Sequence, residues 1–207
     1  MKLILISNPF NFENEQALLR SIFEAGLAYF HLRKPELSAT QMEDYLLSIP
    51  AKYHDRIMLH SHYSLCEKYN LRGVHHAKSV PACFKQGLKA STSVHAVREM
   101  EDSWNYNYVF LSPVFNSISK PGYMGNFNLN ELKRSLQALK IQDKHPEVIA
   151  LGGIDENNIS ITQDIGFNGV AVLGSIWETF LKNKNIHETL EKFNKIQEQC
   201  RLLVPMH

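Results

Sequence analysis

The chain has 207 residues, of which 44% are hydrophobic and 21% are charged, so it can bury a full core and is not globally disordered. Its formal net charge of +1 lacks the basic excess typical of proteins that grip nucleic acid by its phosphates, and we expect no nucleic-acid partner. Three cysteines without a CxxC pair indicate neither a disulfide framework nor a zinc knuckle.

The first ten residues, MKLILISNPF, contain an apolar run that is too short for a signal peptide, and no later run is long enough to span a bilayer. We therefore expect a cytoplasmic protein with no membrane partner. No low-complexity linker interrupts the chain, so we predict one domain over residues 1–207. The sequence leaves open whether that domain forms a homo-oligomer.

Short apolar runs alternate with helical patterns along the whole chain. In order, the runs are KLILIS (2–7), AYFHLR (28–33), RIMLH (56–60), RGVHH (72–76), LKAST (88–92), NYVFLS (107–112), EVIALG (147–152) and GVAVLG (169–174). Several are apolar almost throughout, as is typical of strands covered on both faces. This pattern, in which a strand is followed by a helix eight times, predicts a single-domain (β/α)8 TIM barrel. An open doubly wound sheet is the alternative.

Capping signals mark several of the intervening helices. Ser38 and Gln41 have the spacing of a capping box. Asp155 is predicted to cap the helix that ends before Gly166. Between the fourth and fifth strands, the segment KSVPACFKQG (78–87) predicts at most a very short helix.

Glycines follow the seventh and eighth predicted strands. Gly152 and Gly153 end the run at 147–152, whereas Leu173 and Gly174 end the last run and open a helix. Backbone N–H groups without bulky side chains, next to a helix N-terminus, are suited to binding an anion. Because TIM barrels often hold phosphate in these two loops, we predict a phosphate site there. The alternative is that the glycines only form a tight strand-to-helix turn.

Six motifs resemble segments of the thiamine phosphate synthase/TenI family, in the same order. They are HLRKP (31–35), GVHH (73–76), TSVHA (92–96), YVFLSPVFNSISKPG (108–122), ALGGI (150–154) and GVAVLGSI (169–176). The resemblance covers most of the chain. It implies a barrel of the thiamin pathway whose small-molecule ligand is a phosphorylated thiazole, held by the backbone of the last two motifs.

The synthases of this family join a pyrimidine diphosphate to a thiazole phosphate and release pyrophosphate. The resemblance then implies that Arg33 and Lys120 contact the pyrophosphate and that Ser93 donates a hydrogen bond to it. Ser117 and Ser119 stand where the family has threonines that contact substrate. Mg2+ would be the cofactor of a synthase, since its charge stabilises the leaving group.

The sequence departs from the synthase pattern where the metal ligands are expected. His60-Ser61 replaces the Asn-Asp pair, and HHAKSV (75–80) contains no carboxylate. His31 and Pro35 replace a glutamine and a lysine, although Lys34 is a candidate for the displaced lysine. Mg2+ prefers oxygen ligands, commonly carboxylates, so these changes disfavour a synthase of the usual kind.

The TenI-like branch of the family contains thiazole tautomerases, which aromatise a thiazole phosphate by proton transfer without a metal. We favour this activity over the synthase, and we keep a non-catalytic binder or regulator as a further alternative. The histidine that acts in that branch is matched here by Pro113, so another base is required. We predict His60, with His31 as a substrate contact, and keep His31 and His95 as alternative bases.

Two weaker hypotheses concern a metal and a lid. His60-x-His62 has metal-ligand spacing for a strand, and with His31 or His95 it would bind zinc. No Asp, Glu or Cys cluster accompanies the pair, so no metal ligand is assigned. The connection from Ser112 to Asn128 is longer than usual and is predicted to act as a lid.

Overall fold

The computed structural model describes residues 1–77, 86–116 and 127–202. Its eight strands form one closed barrel in chain order, and all neighbouring strands are parallel. The strands are β1 Lys2–Ile6, β2 Tyr29–Leu32, β3 Ile57–Leu59, β4 Gly73–His76, β5 Lys89–Val94, β6 Tyr108–Leu111, β7 Glu147–Leu151 and β8 Gly169–Val172. The predicted TIM barrel is confirmed, and the open doubly wound sheet is wrong.

Helices surround the barrel. They are α1 Glu15–Glu24, α2 Ala39–Ser48, a 3₁₀ helix Ala51–Arg56, α3 Leu65–Lys68, α4 Val97–Glu101, α5 Leu129–Leu139, α6 Ile159–Ile165, α7 Gly174–Asn183 and α8 Ile186–Leu202. Most of the short helix expected between β4 and β5 falls on residues 78–85, which lie outside the described ranges. In the part of the chain that the structure describes, no helix is long and apolar enough to cross a membrane.

The helix boundaries test two capping predictions. Ser38 forms the predicted capping box, accepting from the Gln41 amide while the Gln41 side chain accepts from the Ser38 amide. The prediction for Asp155 is wrong, because α6 begins four residues later, at Ile159, and Asn158 is at its N-cap position. The Asp155 carboxylate instead accepts from the amide of Asn157, within the turn that precedes the helix.

Two apolar cores hold the barrel together. The larger core lies between the strands and the helices, where α1 buries Leu18, Leu19, Ile22 and Phe23. The smaller core lies inside the barrel and consists of Ile4, Ile6, Met58, Tyr108, Phe110, Ile149 and Ala171. Because alternate strand residues face opposite sides, this inner layer fixes which polar side chains point into the barrel.

Candidate functional site

Arg33 lies at the mouth of the barrel, one residue beyond the end of β2, and its side chain is exposed. Its backbone is held in place by Ser7, whose hydroxyl donates to the Arg33 carbonyl at 2.9 Å and accepts from the Arg33 amide at 2.8 Å. Ser7 is completely buried, so this pair of bonds fixes the rim between β1 and β2. The role of Arg33 in binding a diphosphate stays a prediction.

A pair of histidines lies in and just above the barrel interior. His31 is the third residue of β2, and His60 directly follows β3. The Nδ1 of His31 lies 3.0 Å from the Nε2 of His60. His31 is fully buried, and its other nitrogen, Nε2, lies 2.7 Å from the hydroxyl of Tyr108. Because both of its ring nitrogens are engaged, His31 is placed to position His60. This arrangement differs from the prediction from the sequence, in which His31 contacts substrate directly.

A third histidine, His75 of β4, joins this group from the neighbouring strand. Its ring stacks on that of His60, with centroids 4.1 Å apart and planes at 20°. Its Nδ1 lies 2.9 Å from the hydroxyl of Ser91, and its Nε2 lies 3.1 Å from that of Ser93. The half-buried Ser93, predicted to contact substrate, thus has a hydrogen-bond partner within the protein.

Burial keeps the three imidazoles neutral. Desolvation is the largest cause that holds the pKa of His31 and of His60 well below the usual value, and it lowers the pKa of His75 to about 3. Repulsion among the rings adds to this effect. Neutral imidazoles can act as bases or as metal ligands at physiological pH.

The phosphate site predicted on β7 begins with a tight turn. Gly152 and Gly153 have φ of 97° and 65°, in the left-handed region that favours glycine. The Gly153 carbonyl accepts from the side chain of Asn158 at 2.7 Å. The turn packs closely on the chain that follows β6, where the Phe115 amide donates to the Gly152 carbonyl. Among the described residues, no protein group accepts a hydrogen bond from the Gly153 amide.

The second part of the predicted phosphate site is the N-terminus of α7. Leu173 is the N-cap residue and Gly174 is the first helical residue. The next residue, Ser175, is only 3% exposed, yet its hydroxyl oxygen has no hydrogen-bond partner within the described ranges. The hydroxyl lies in the first turn of a ten-residue helix, where a bound anion could accept the hydrogen bond that no described protein group accepts.

Other predicted residues either lie outside the described ranges or point into the core. Lys120, Ser117 and Ser119 lie outside the described residues, as does most of the predicted lid. Lys34 does not take the place of the displaced lysine at the mouth, because it is 1% exposed and its Nζ contacts both carboxylate oxygens of Glu15, at 2.6 and 2.7 Å.

The predicted pairing of His60 with His62 as zinc ligands is wrong. His62 adopts a positive φ of 53°, and its Nε2 lies 2.9 Å from the Leu37 carbonyl. The alternative base His95 is exposed, and its Nδ1 lies 2.8 Å from the Ser112 carbonyl. The residue that lies with His60 is therefore His75, which the sequence left unassigned.

The side chains beyond β3 and β4 do not fit Mg2+. Within the described ranges, the group of three His, Cys, Asp or Glu residues that could hold a metal consists of His31, His60 and His75. The segments outside those ranges, 78–85, 117–126 and 203–207, contain no Asp or Glu. Mg2+ selects oxygen ligands in octahedral geometry, so a cluster of imidazoles is a poor site for it.

Sequence reasoning missed three residues of the site. His75 gave no signal that set it apart from His62, because its place beside Ser91 depends on the pairing of β4 with β5. Tyr108 gave no sign of a role in the sequence, but it belongs to the inner core of the barrel and its hydroxyl lies 2.7 Å from Nε2 of His31. Ser175 gave no local signal, because its importance depends on the absence of a partner among the described residues of the folded chain.

Comparisons with known proteins agree with this architecture. The TMP-TENI family model, described as thiamine monophosphate synthase, matches residues 3–176. The thiamine-phosphate synthase of Serratia proteamaculans (strain 568) is 26% identical over 166 residues, which cover 75% of this chain and 76% of that protein. That of Lysinibacillus sphaericus (strain C3-41) is 24% identical over 211 residues, covering 95% of each.

A solved structure is more similar still. The crystal structure of a thiamine phosphate pyrophosphorylase from Bacteroides thetaiotaomicron is 36% identical, covers 98% of both chains and has a TM-score of 0.84. The family match extends over most of the chain and includes every barrel strand except the first residue of β1. The chain therefore belongs to the thiamine monophosphate synthase (TMP-TENI) family of TIM-barrel proteins.

Proposed function

We propose that this protein binds a thiazole phosphate at the turns after β7 and β8 and catalyses proton transfer on its ring, as a thiazole tautomerase. The observation that carries this proposal is the hydrogen-bonded chain from His60 through His31 to Tyr108, with distances of 3.0 and 2.7 Å. It connects a residue at the mouth of the barrel to a buried phenol. Such a chain can fix the protonation state of the outermost imidazole.

Binding of the phosphate is assigned to the glycine turns. The amides of Gly153, Gly174 and Ser175 are hydrogen-bond donors without protein partners among the described residues, and the Ser175 hydroxyl lies beside them. The helix dipole adds a favourable field for a doubly charged oxyanion. The thiazole ring would then extend from this anchor across the mouth of the barrel.

The direction of the hydrogen bonds decides whether His60 can act as a base. When Nε2–H of His60 donates to Nδ1 of His31, and Nε2–H of His31 donates to the Tyr108 oxygen, Nδ1 of His60 carries no proton. Within the described residues, Nδ1 of His60 has no protein hydrogen-bond partner. In this arrangement His60 takes a proton from a ring carbon and returns it to a carbon outside the ring, which leaves the composition unchanged and the ring aromatic.

The second candidate function is the synthase reaction, which the names of the relatives favour. Arg33 at the rim and Lys120 would stabilise the departing pyrophosphate, and Ser93 would donate a hydrogen bond to it. The thiazole phosphate anchor would be the same for both activities. The imidazole cluster beyond β3 and β4 does not match the carboxylate ligands that a Mg2+-dependent synthase requires, so we place this candidate second.

Two assays on the same purified protein separate the candidates. The first follows conversion of the non-aromatic thiazole phosphate to its aromatic isomer, and the second follows formation of thiamine phosphate from the two synthase substrates over a range of divalent metals. We expect the first activity and not the second. We also expect His60→Ala to lower kcat by roughly 100-fold or more, the contribution typical of a general base.

Matched variants assign the roles. His62→Asn is the control, because His62 contacts the Leu37 carbonyl and not the histidine cluster. His95→Gln tests the alternative base, and Arg33→Gln should impair only the synthase reaction. Full isomerisation activity in His60→Ala would remove His60 as the base. Thiamine phosphate formation without isomerisation would establish the synthase, and phosphate binding with neither rate would indicate a binder.

A further inference from the structure

We propose that His31, His60 and His75 form a binding site for Zn2+ inside the mouth of the barrel. Each residue offers one ring nitrogen, and the three nitrogens all lie within 4.8 Å of one another. They come from three adjacent units, β2, the residue after β3, and β4, so the closed barrel fixes their spacing. This site goes beyond the proposed function, because metal binding can be measured without any substrate.

The distances suit a zinc ion with small adjustments. Zn–N bonds of about 2.0–2.1 Å in a tetrahedral site separate two ligand nitrogens by about 3.3 Å. Nδ1 of His31 and Nε2 of His60 are already 3.0 Å apart. The stacked ring of His75 needs to tilt so that one of its nitrogens faces the same point.

The chemistry of the cluster also fits Zn2+, which binds nitrogen ligands well. Zinc binds imidazole nitrogens, and the cluster offers three of them from side chains that are buried or half-buried. The exposed Arg33 guanidinium adds some repulsion, which solvent at the rim screens. With three nitrogen ligands and no carboxylate, the site selects zinc over Mg2+.

Hydrogen-bond partners for the second ring nitrogens of His31 and His75 are already in place. Metal-bound histidines usually donate their second N–H to an oxygen that orients the ring. When Nδ1 of His31 binds the metal, its Nε2–H can donate to Tyr108 at 2.7 Å. When one nitrogen of His75 binds, the other can donate to Ser91 or Ser93, at 2.9 and 3.1 Å.

Three protein ligands leave the fourth position of a tetrahedral ion for water or a substrate atom, as in catalytic rather than structural zinc sites. Zinc would also change the role of His60. An imidazole that binds zinc through Nε2 carries its proton on Nδ1, so it can no longer accept a proton there. The zinc-bound protein should therefore lack the isomerase activity proposed above, although the metal site does not depend on that activity.

The test is zinc binding by the full chain after removal of any affinity tag. We expect one tight Zn2+ per chain in competition with a chromogenic chelator, and Co2+ substitution should give the visible absorption typical of tetrahedral nitrogen ligation. His60→Ala and His75→Gln should each weaken binding at least about 100-fold, whereas Tyr108→Phe should weaken it roughly 10-fold as an outer-sphere change. His62→Asn is the matched control and should bind like the wild type.

Thermal unfolding of each variant shows whether a loss of zinc reflects a loss of fold. A wild-type protein that binds no zinc, or binds it only as weakly as the His75→Gln variant, would overturn the proposal. Unchanged tight binding in both His60→Ala and His75→Gln would do the same, because the metal would then lie elsewhere. A protein that shows no isomerase activity when metal-free, but still binds zinc tightly, would leave the site intact and remove only the proposed reaction.

Discussion

A Cβ atom on Gly153 would lie 2.1 Å from the carbonyl oxygen of Asn116. The same position has a φ of 65°, so an L side chain would be strained as well as crowded. The turn after β7 is thus in contact with the chain after β6, and the glycine allows that contact. The Gly-Gly sequence forms this turn, and no described protein group accepts a hydrogen bond from the Gly153 amide.

Gly153→Ala should both destabilise the fold and abolish phosphate binding. We expect the free energy of unfolding to fall by ~3 kcal/mol, from left-handed strain plus overpacking against the Asn116 carbonyl. Gly87→Ala is the matched control, because Gly87 has a φ of 88° but a Cβ added there would meet no described atom within 4 Å. Urea unfolding should show a loss of only ~1 kcal/mol for that variant. Equal losses in the two variants would contradict the steric argument.

Ser175→Ala should separate binding from stability. Because the buried Ser175 hydroxyl has no partner among the described residues, its removal should leave the free energy of unfolding unchanged or slightly higher. If the hydroxyl contacts the phosphate, affinity for thiazole phosphate should drop by about 10-fold, the value of one lost hydrogen bond to a charged group.

The control for this prediction is Ser103→Ala. Ser103 is similarly buried, at 6% exposure, but its hydroxyl donates to the Glu99 carbonyl at 2.6 Å. This variant should lose about 1 kcal/mol of stability and keep its affinity for the phosphate. Calorimetric titration and urea unfolding measure the two quantities. Destabilisation by Ser175→Ala with unchanged affinity would mean that the hydroxyl serves only the fold.

The histidine cluster should make stability dependent on pH. The pKa of His75 is lowered to about 3 in the folded state, below the unfolded value of about 6.5, so the unfolded chain binds more protons between these values. The contribution of His75 to the free energy of unfolding is therefore fully present above its unfolded pKa, and it is lost as the pH falls towards its folded pKa. From pH 7 to 5.5, His75 alone should cost about 1 kcal/mol, and His31 and His60 should add to it.

Urea unfolding of the wild type and of His75→Gln over that range measures this contribution. The free energy of unfolding of the variant should depend less steeply on pH, because one of the groups that take up protons on unfolding is gone. An identical slope in the two proteins would mean that His75 is not held neutral by burial. The same lowering of the pKa keeps His60 unprotonated, so isomerase activity should persist below pH 6.5.

The sequence predicted the barrel because its signals are local. Apolar runs of strand length and a capping box such as that of Ser38 and Gln41 report on neighbours along the chain. The prediction for Asp155 failed because its carboxylate accepts from the Asn157 amide, and the helix does not begin until Ile159. A carboxylate ahead of a helix does not establish where the first turn begins.

The site was harder to predict because its contacts join distant strands. His31 and Tyr108 are 77 residues apart, and only the register of a closed barrel brings them within 2.7 Å. The sequence placed His60 at a strand end, but it gave no reason to choose His75 over His62 as its neighbour. That choice depends on His62 turning to the Leu37 carbonyl in a left-handed conformation.

The buried ion pair between Lys34 and Glu15 gives a final prediction. Both side chains are at most 1% exposed, and burial raises the pKa of Glu15 and lowers the pKa of Lys34. Removal of one partner leaves an uncompensated charge in the core, so Lys34→Met and Glu15→Gln should each cost about 3–5 kcal/mol. Because the two residues act as a unit, the double variant should lose less stability than the sum of the two single losses.

Urea unfolding of the four proteins measures this coupling, and Lys68→Met is the surface control. Lys68 also pairs with a carboxylate, that of Glu43, but its side chain is 61% exposed and screened by solvent, so its removal should cost far less stability than either core substitution. Lys34→Met should keep the affinity for thiazole phosphate in the fraction that remains folded, since Lys34 points into the core. Loss of phosphate affinity in that variant, at full stability, would return Lys34 to the role that the sequence first suggested.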